Sequence, residues 1–241
     1  MKIFIAGTDT DVGKTYITAA LTAILLKKGL HVGVIKWVST GKADSSPDIE
    51  FILEKAGLAP LGPGSKLSVA CPFCFSFPAS PHLASSMENR VVEPDVIIRE
   101  TQRLEEACDI LLIEGVGGLM VPLRADLLLI DLMAQVPCPV VLVARSGLGT
   151  INHSLLSVEA LRQRRLEPLG IVLNSVGYGG CADNTHEEIV SDNASIISSL
   201  SGSRVYGPVP FGLEPTDEKV SEILTPLVTN IMETKGHEST R

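Results

Sequence analysis

Short apolar runs alternate along this chain with longer stretches in which apolar residues return every three or four positions. The short runs at 3–6, 31–36, 109–114, 139–144, 169–174 and 204–208 have the length and the Val/Ile/Leu content of buried strands. The longer stretches read as helices. In the first of them Ile17, Ala20, Leu21, Ile24 and Leu25 share one face, and Lys28-Gly29 supplies a stop. Others open at Pro47-Asp48, with Ile49, Ile52 and Leu53 on one face, and at Glu93-Pro94, continuing through Ile97, Ile98, Thr101 and Leu104. Further helices are predicted over 126–136, 151–165, 185–200 and 216–233. Residues 59–82, rich in Pro, Gly, Ser and Phe, read as an irregular excursion over the surface. Strand–helix alternation of this kind predicts βαβ units. The expectation is a single α/β domain over 1–233, its mostly parallel sheet flanked by helices on both faces, and a polar, frayed tail over 234–241.

Composition narrows the picture. The apolar share is 45% but the aromatic share only 4%, so the core must be built from Val, Ile, Leu and Ala, which suits a parallel sheet covered on both faces. Twenty-eight acidic against twenty basic residues give a formal charge of −8, which argues against nucleic acid or an anionic membrane as partner. No run approaches the ~18 apolar residues of a membrane span, and the chain enters a strand at once without a basic, apolar leader. Five cysteines, an odd number, do not suggest a disulfide framework, so a cytoplasmic location is expected. Cys71 and Cys74 form a C-x-x-C. A structural zinc would need a second pair, and the Pro/Phe surroundings read as loop, so these are taken as incidental thiols.

The candidate chemistry gathers at the carboxyl ends of the predicted strands, where open α/β sheets bind ligands. Residues 7–15, G-T-D-T-D-V-G-K-T, stand between the first strand and the first helix. This is the context of a phosphate loop: its backbone N–H groups and the helix N-terminus favour an anion. Lys14 would meet the β- and γ-phosphates and the Thr15 hydroxyl a Mg²⁺, giving a P-loop NTPase type of fold. The usual spacing would put the first glycine at Thr8; Gly7 comes one residue early, so the loop is a longer variant. Lys36 ends the second strand near this loop. Glu114 ends the third, D-I-L-L-I-E, as an acid-tipped strand suited to Mg²⁺, followed by Gly115, Gly117 and Gly118, which permit close backbone approach to a ligand. Asp48 at a helix start is a weaker carboxylate candidate, and Asp44 weaker still. Asn174, ending a strand, could bond a base edge or simply end the strand. His82, His153 and the single Trp37 read as structural residues.

With those residues in hand the chain resembles the dethiobiotin synthetase family. The resemblance rests on the 7–15 loop, K-W-V-S-T-G at 36–41, A-S-P-H-L-A at 79–84, I-E-G-V-G-G-L-M-V-P-L at 113–123 and G-T-I-N-H-S-L-L at 149–156. The lengthened glycine loop is that family's own form. The resemblance implies carboxylation of 7,8-diaminononanoate with CO₂ (or bicarbonate as its source) and closure of the ureido ring, with MgATP as co-substrate, through a carbamate and its phosphoric anhydride. It implies a nucleotide-binding run Asp11, Val12, Gly13, Lys14, Thr15 and Tyr16, completed by Asn174 at the adenine and by the loop containing Pro208 and Pro210. It implies Thr10, Asp11, Lys36 and Thr40 around diamine, carbamate and γ-phosphate, with Lys14, Lys36 and Thr10 catalytic, and Thr15, Asp48 and Glu114 as the metal set. Gly149, Thr150, Ile151 and Asn152 match the element that holds the substrate carboxylate from the neighbouring subunit of a homodimer. Two departures stand out. Trp37 replaces the family's usual Pro with a bulky ring that would alter the substrate wall, and 175–190, with Tyr178 to Cys181, aligns poorly.

Two other readings compete. An amidating ligase of corrin synthesis would need a glutaminase domain, for which the chain has neither room nor a Cys/His motif. A partition-type ATPase usually carries an extra lysine early in the glycine loop, and none precedes Lys14 here.

Overall fold

The computed structural model describes residues 1–56, 65–176 and 187–238. Its elements run β1 (Lys2–Gly7), α1 (Lys14–Lys27), β2 (Val32–Lys36), β3 (Val38–Thr40), α2 (Pro47–Lys55), β4 (Leu67–Ala70), β5 (Phe73–Phe75), α3 (Pro81–Met87) and α4 (Pro94–Glu106). They continue with β6 (Ile110–Glu114), β7 (Pro122–Arg124), β8 (Leu127–Leu128), α5 (Leu129–Gln135), β9 (Val140–Arg145), α6 (Thr150–Gln163), β10 (Pro168–Asn174), α7 (Glu187–Ser201), β11 (Val205–Val209) and α8 (Glu218–Glu238). Seven strands form one sheet in the order β11-β10-β9-β1-β6-β2-β4, with every neighbouring pair parallel.

The period-2 alternation of β1 divides the core. Phe4 and Ala6 face a cluster with Ile97 and Leu104 of α4, Leu132 of α5, Leu161 of α6 and Ile197 of α7. Ile3 and Ile5 face Ile17, Leu21 and Leu25 of α1, Ile52 of α2 and Leu224 and Val228 of α8. Both faces of the sheet are therefore dry, which is why its strands read as continuous apolar runs rather than as alternating ones. Helix α1 is buried almost all round, and Thr18 and Thr22 satisfy their hydroxyls within it by donating to Lys14 O and Thr18 O (2.9 and 2.7 Å). Gly29 ends it in the left-handed region, φ 83°, with its N–H on Leu26 O at 2.8 Å.

Three sequence expectations are corrected. Within 59–82, the described part carries β4, β5 and the start of α3 instead of an irregular surface excursion; residues 59–64 lie outside the described residues. Leu67, Phe73 and Phe75 are buried there, and Pro81 occupies the first turn of α3, where its missing N–H costs nothing. The 126–136 helix begins only at Leu129, because Leu127–Leu128 first pair antiparallel with β7. The last helix continues past 233 to Glu238. The helix expected over 185–200 is present over its described part, Glu187–Ser201, and residues 177–186 of the poorly matching stretch lie outside the described residues. No helix among the described residues is long and apolar enough to cross a membrane.

Candidate active site

The loop between β1 and α1 turns through two left-handed residues, Asp11 (φ 56°) and Gly13 (φ 91°). Gly13 caps α1 without a side-chain bond, so the first N–H groups of the helix stay open to an anion. A Cβ on Gly13 would collide with the Asn174 amide, so a side chain there would displace that amide as well as strain a left-handed backbone. The Lys14 ammonium folds back over the loop and donates to Asp9 O at 3.0 Å. Burial, and then the neighbouring charge of Lys36, bring its pKa down to about 8.

In front of the loop lies a pocket of about 270 Å³ lined by Thr10, Asp11, Gly13, Lys14, Thr15, Lys36, Val38, Ser39, Thr40, Asp48, Val116 and Gly117. Strand order explains the convergence. β6 lies between β1 and β2, with Lys36 opposite Glu114, so the ends of all three strands meet. Asp48 arrives on the first turn of α2, whose start is set by Ser46, accepting from Ile49 N at 3.3 Å, and by Pro47.

The Lys36 ammonium spends its three hydrogens on Glu114 Oε1 (2.8 Å), Asp48 Oδ2 (2.9 Å) and Gly115 O (2.9 Å). Burial opposes its charge, but the two carboxylates outweigh burial and raise its pKa. Asp48 is likewise held below the usual carboxylate range: burial acts against this, and Lys36 prevails. Thr15 Oγ1 sits 2.8 Å from Asp48 Oδ1 and 2.7 Å from Glu114 Oε1. One hydroxyl hydrogen serves only one of them at a time. Glu114, fully buried, also leaves Oε2 without a hydrogen-bond partner. This is an oxygen cluster short of positive charge, and two carboxylates with a hydroxyl suit a hard divalent cation that keeps several waters. Among the described residues no group of three or more His, Cys, Asp or Glu forms an alternative metal site.

On the other side of Gly13 a cleft of about 490 Å³ is lined by Tyr16, Phe51, Lys55, Asn174, Ser175, Val176 and the 210–215 turn. Asn174 Nδ2 donates to Val12 O at 3.1 Å, and Tyr16 OH to Leu213 O at 3.0 Å. Pro210 belongs to this cleft; Pro208, an exposed residue of β11, does not line it. Phe211, which follows Pro210 in the expected loop, belongs to the cleft as well, whereas Phe51, Lys55 and Leu213 were not singled out from the sequence and carry no motif there. Arg145, ending β9 and bonded to Asp9 Oδ2 at 3.4 Å, was missed as well, although its strand-end position was a usable signal.

Other expected residues sit elsewhere. Residues 149–152 do not line the Lys14–Lys36 pocket of the same chain. Gly149 (φ 85°) caps α6 without a side-chain bond, Thr150 is buried, and Asn152 lines a separate groove with Leu156 and Leu200. Trp37 does not form a substrate wall. Its indole is fully buried, edge-on to Phe4 at 4.9 Å, and donates to Thr101 Oγ1 at 3.1 Å. Of the three glycines after Glu114, only Gly117 lines the pocket. A Cβ on Gly115 would press on Phe4 and Leu129, and one on Gly118 would press on Thr8 O, so these two serve packing within the protein.

A parallel doubly covered sheet with a strand–glycine loop–helix anion site at its centre defines a phosphate-loop nucleotide-binding protein. Among curated relatives, the ATP-dependent dethiobiotin synthetase BioD of Nitrosopumilus maritimus is 32% identical, over 92% of this chain and 94% of its own. Those of Halalkalibacterium halodurans (36%, 87% and 84%) and Lysinibacillus sphaericus (37%, 91% and 89%) are similar to it in the same way. This chain belongs to the dethiobiotin synthetase family. A family profile described as an AAA domain also matches residues 1–219. Solved structures share the fold at low identity. The cell division ATPase MinD of Pyrococcus furiosus has a TM-score of 0.54 at 17% identity, over 97% of this chain and 99% of that one. A plasmid partition protein from Borrelia burgdorferi has 0.58 at 15%, over 95% and 98%.

Proposed function

We propose that this protein makes dethiobiotin by ATP-dependent carboxylation and ring closure of 7,8-diaminononanoate. Family membership carries the reaction, and the observation that favours a ligase over a partition-type switch is local. The loop before Lys14 has no lysine, while Lys36 and Lys14 face one small pocket with Thr10 and Thr40.

The attacking amine must be neutral. The Lys14 ammonium, bonded to a carbonyl and not to a carboxylate, favours the neutral amine beside it, and with Lys36 it then holds the carbamate that forms from CO₂. Lys36 must give up at least one of its three acceptors to bond that anion. Lys14 and the open N–H groups of α1 meet the phosphate chain, and charge that develops as the γ-phosphoryl passes to the carbamate oxygen is stabilised there. The second amine then attacks the mixed anhydride and phosphate leaves. Thr15, Asp48 and Glu114 would hold Mg²⁺, supported by the unpartnered Glu114 Oε2 and the proton-short contacts at Thr15. When bound, the ion supplies charge neutralisation at the phosphoryl oxygens. Asn174 keeps its amide nitrogen on Val12, which leaves its oxygen to accept from an adenine amino group.

The diamine also carries a carboxylate at its far end. Residues 149–152 offer an uncapped helix start that the pocket of the same chain does not use, next to exposed Leu148 and Leu156. This supports a homodimer in which that helix start serves the neighbour's site. Formation of the cyclic urea from 7,8-diaminononanoate, bicarbonate and MgATP, followed by mass, tests the reaction; phosphate release that ignores the diamine would reject it. Mixing Lys14→Ala chains with Gly149→Pro/Asn152→Ala chains tests the shared site. Each parent is expected to be nearly inactive and the mixed dimer to recover, and no recovery in verified heterodimers would reject it.

A further inference from the structure

Strand β4 forms the edge of the sheet beside β2, with Ala70 opposite Ile35, so the next residues of the two strands are Cys71 and Lys36. The chain bends at Pro72 and enters β5, which brings Cys74 back until its Sγ lies 3.4 Å from the Sγ of Cys71. Both cysteines are partly exposed residues. Among the described residues no third His, Cys, Asp or Glu joins them, so the pair cannot complete a tetrahedral metal site. What two adjacent thiols without further ligands can do is lose two electrons together. Closing to the ~2.05 Å of a disulfide requires an approach of roughly 1.4 Å.

We propose that Cys71 and Cys74 are a redox modification site that closes to a disulfide and thereby slows the adjacent catalytic pocket. Each cysteine joins a different strand beside that pocket. Cys71 follows β4 directly, next to the end of β2 that carries Lys36, and its thiol donates to Phe73 O at 3.4 Å. Cys74 pairs with Ser39 in the β3–β5 ribbon, and Phe75 with Thr40; Ser39 and Thr40 both line the pocket. Arg90 fixes the ribbon from behind by donating to Cys74 O at 2.7 Å. Drawing the sulfurs together therefore pulls the β3–β5 ribbon, and with it Ser39 and Thr40, toward the end of β4 beside Lys36.

The oxidant is a low-molecular-weight disulfide. Burial, with Cys74 beside it, pushes the Cys71 thiol up and disfavours its attack, so Cys74 attacks first, giving its proton to solvent, forming a mixed disulfide and releasing one small thiol. Cys71 then gives its proton to solvent and attacks Cys74 Sγ, expelling the second small thiol. The protein loses two protons and two electrons, and the small disulfide becomes two thiols. In a reducing compartment such a bond is transient, the mode in which cytosolic disulfides act as sensors.

The effect on rate rests on the functional reading above; the bond itself does not. The purified full chain is incubated with oxidised glutathione, alkylated and digested with trypsin, and the 67–90 peptide is weighed. It is expected to lack both alkyl groups and to be lighter by two hydrogens. Turnover is expected to fall several-fold and to return with dithiothreitol. Cys71→Ser and Cys74→Ser should each keep the reduced rate and lose the response, while Cys108→Ser/Cys138→Ser keeps it. Two alkylatable thiols after incubation, or a product arrested as the glutathione adduct, would overturn the site. A complete disulfide with unchanged turnover would overturn its link to the pocket.

Discussion

The two sides of Gly13 are built in opposite ways. The phosphate side is a small pocket in which Lys14, Lys36, Asp48 and Glu114 crowd around one threonine hydroxyl. The other side is a larger cleft lined chiefly by apolar groups, Tyr16, Phe51, Val176, Pro210, Phe211 and Leu213, with few side-chain polar contacts. Buried charges must be paired to be tolerated, so the first side is held by mutual ion pairs in advance of any ligand. The second is held by packing, and what it offers a ligand is shape and area. Turnover should therefore depend on the first side, and nucleotide affinity and base choice on the second.

The strongest way to break that contrast is Lys36→Ala. Turnover is expected to fall by ~10²–10³, the effect of losing one transition-state donor, while MgADP affinity by calorimetry changes only a few-fold. Because Glu114 would be left buried and unpaired, denaturant unfolding should also show a loss of about 3 kcal/mol. A near-wild-type rate would remove Lys36 from the chemistry.

Glu114→Gln keeps shape and removes one carboxylate from the oxygen cluster. The Mg²⁺ concentration for half-maximal rate should rise by ~10-fold, with the base cleft untouched. An unchanged Mg²⁺ titration would make Glu114 only the partner of Lys36.

Lys14 sharpens the comparison through pH. Its pKa of about 8 in the free protein reflects burial first and Lys36 second, and phosphates must raise it. The free protein then carries less than a full proton there above pH about 8, and ATP binding takes the rest up from solution. Proton uptake, read from the dependence of binding enthalpy on buffer ionisation heat, should grow from pH 8 toward 9 and vanish below 7 (roughly one pKa width to each side). No uptake at the high end would show that Lys14 does not meet the phosphates.

The smallest effect belongs to the cleft. Asn174→Ala should weaken ATP binding about fivefold, the worth of one neutral hydrogen bond, leave the rate at saturating ATP unchanged and narrow the preference over GTP. A loss of rate with affinity intact would dissolve the division of labour between the two sides.

The phosphate side was largely legible. The 7–15 loop, Lys36, Asp48 and Glu114 each announce themselves by position, at a strand end or a helix start, and the parallel strand order brings those positions together. The apolar cleft was not, because Phe51, Lys55 and Leu213 carry no motif and meet only when α2 and the 210–215 turn close over Tyr16. The prolines and serines of 65–82 obscured β4 and β5, since such residues mark loops unless the apolar positions between them find a buried face.

Local periodicity and turn chemistry, which act over a few residues, thus determined six of the seven strands of the main sheet, most of the helices, the parallel arrangement and the anion-binding loop from sequence alone. Direction and partnership were decided by the tertiary structure. Trp37 follows Lys36 directly, yet one side chain enters the core against Phe4 and the other reaches Glu114. Cys71 and Cys74 touch because the chain bends at Pro72 between an edge strand and a two-stranded ribbon. Asn174 reaches Val12 across a span of 162 residues. Contacts of that range exist only once both faces of the sheet are buried, because the hydrophobic packing that fixes them does not depend on separation along the chain.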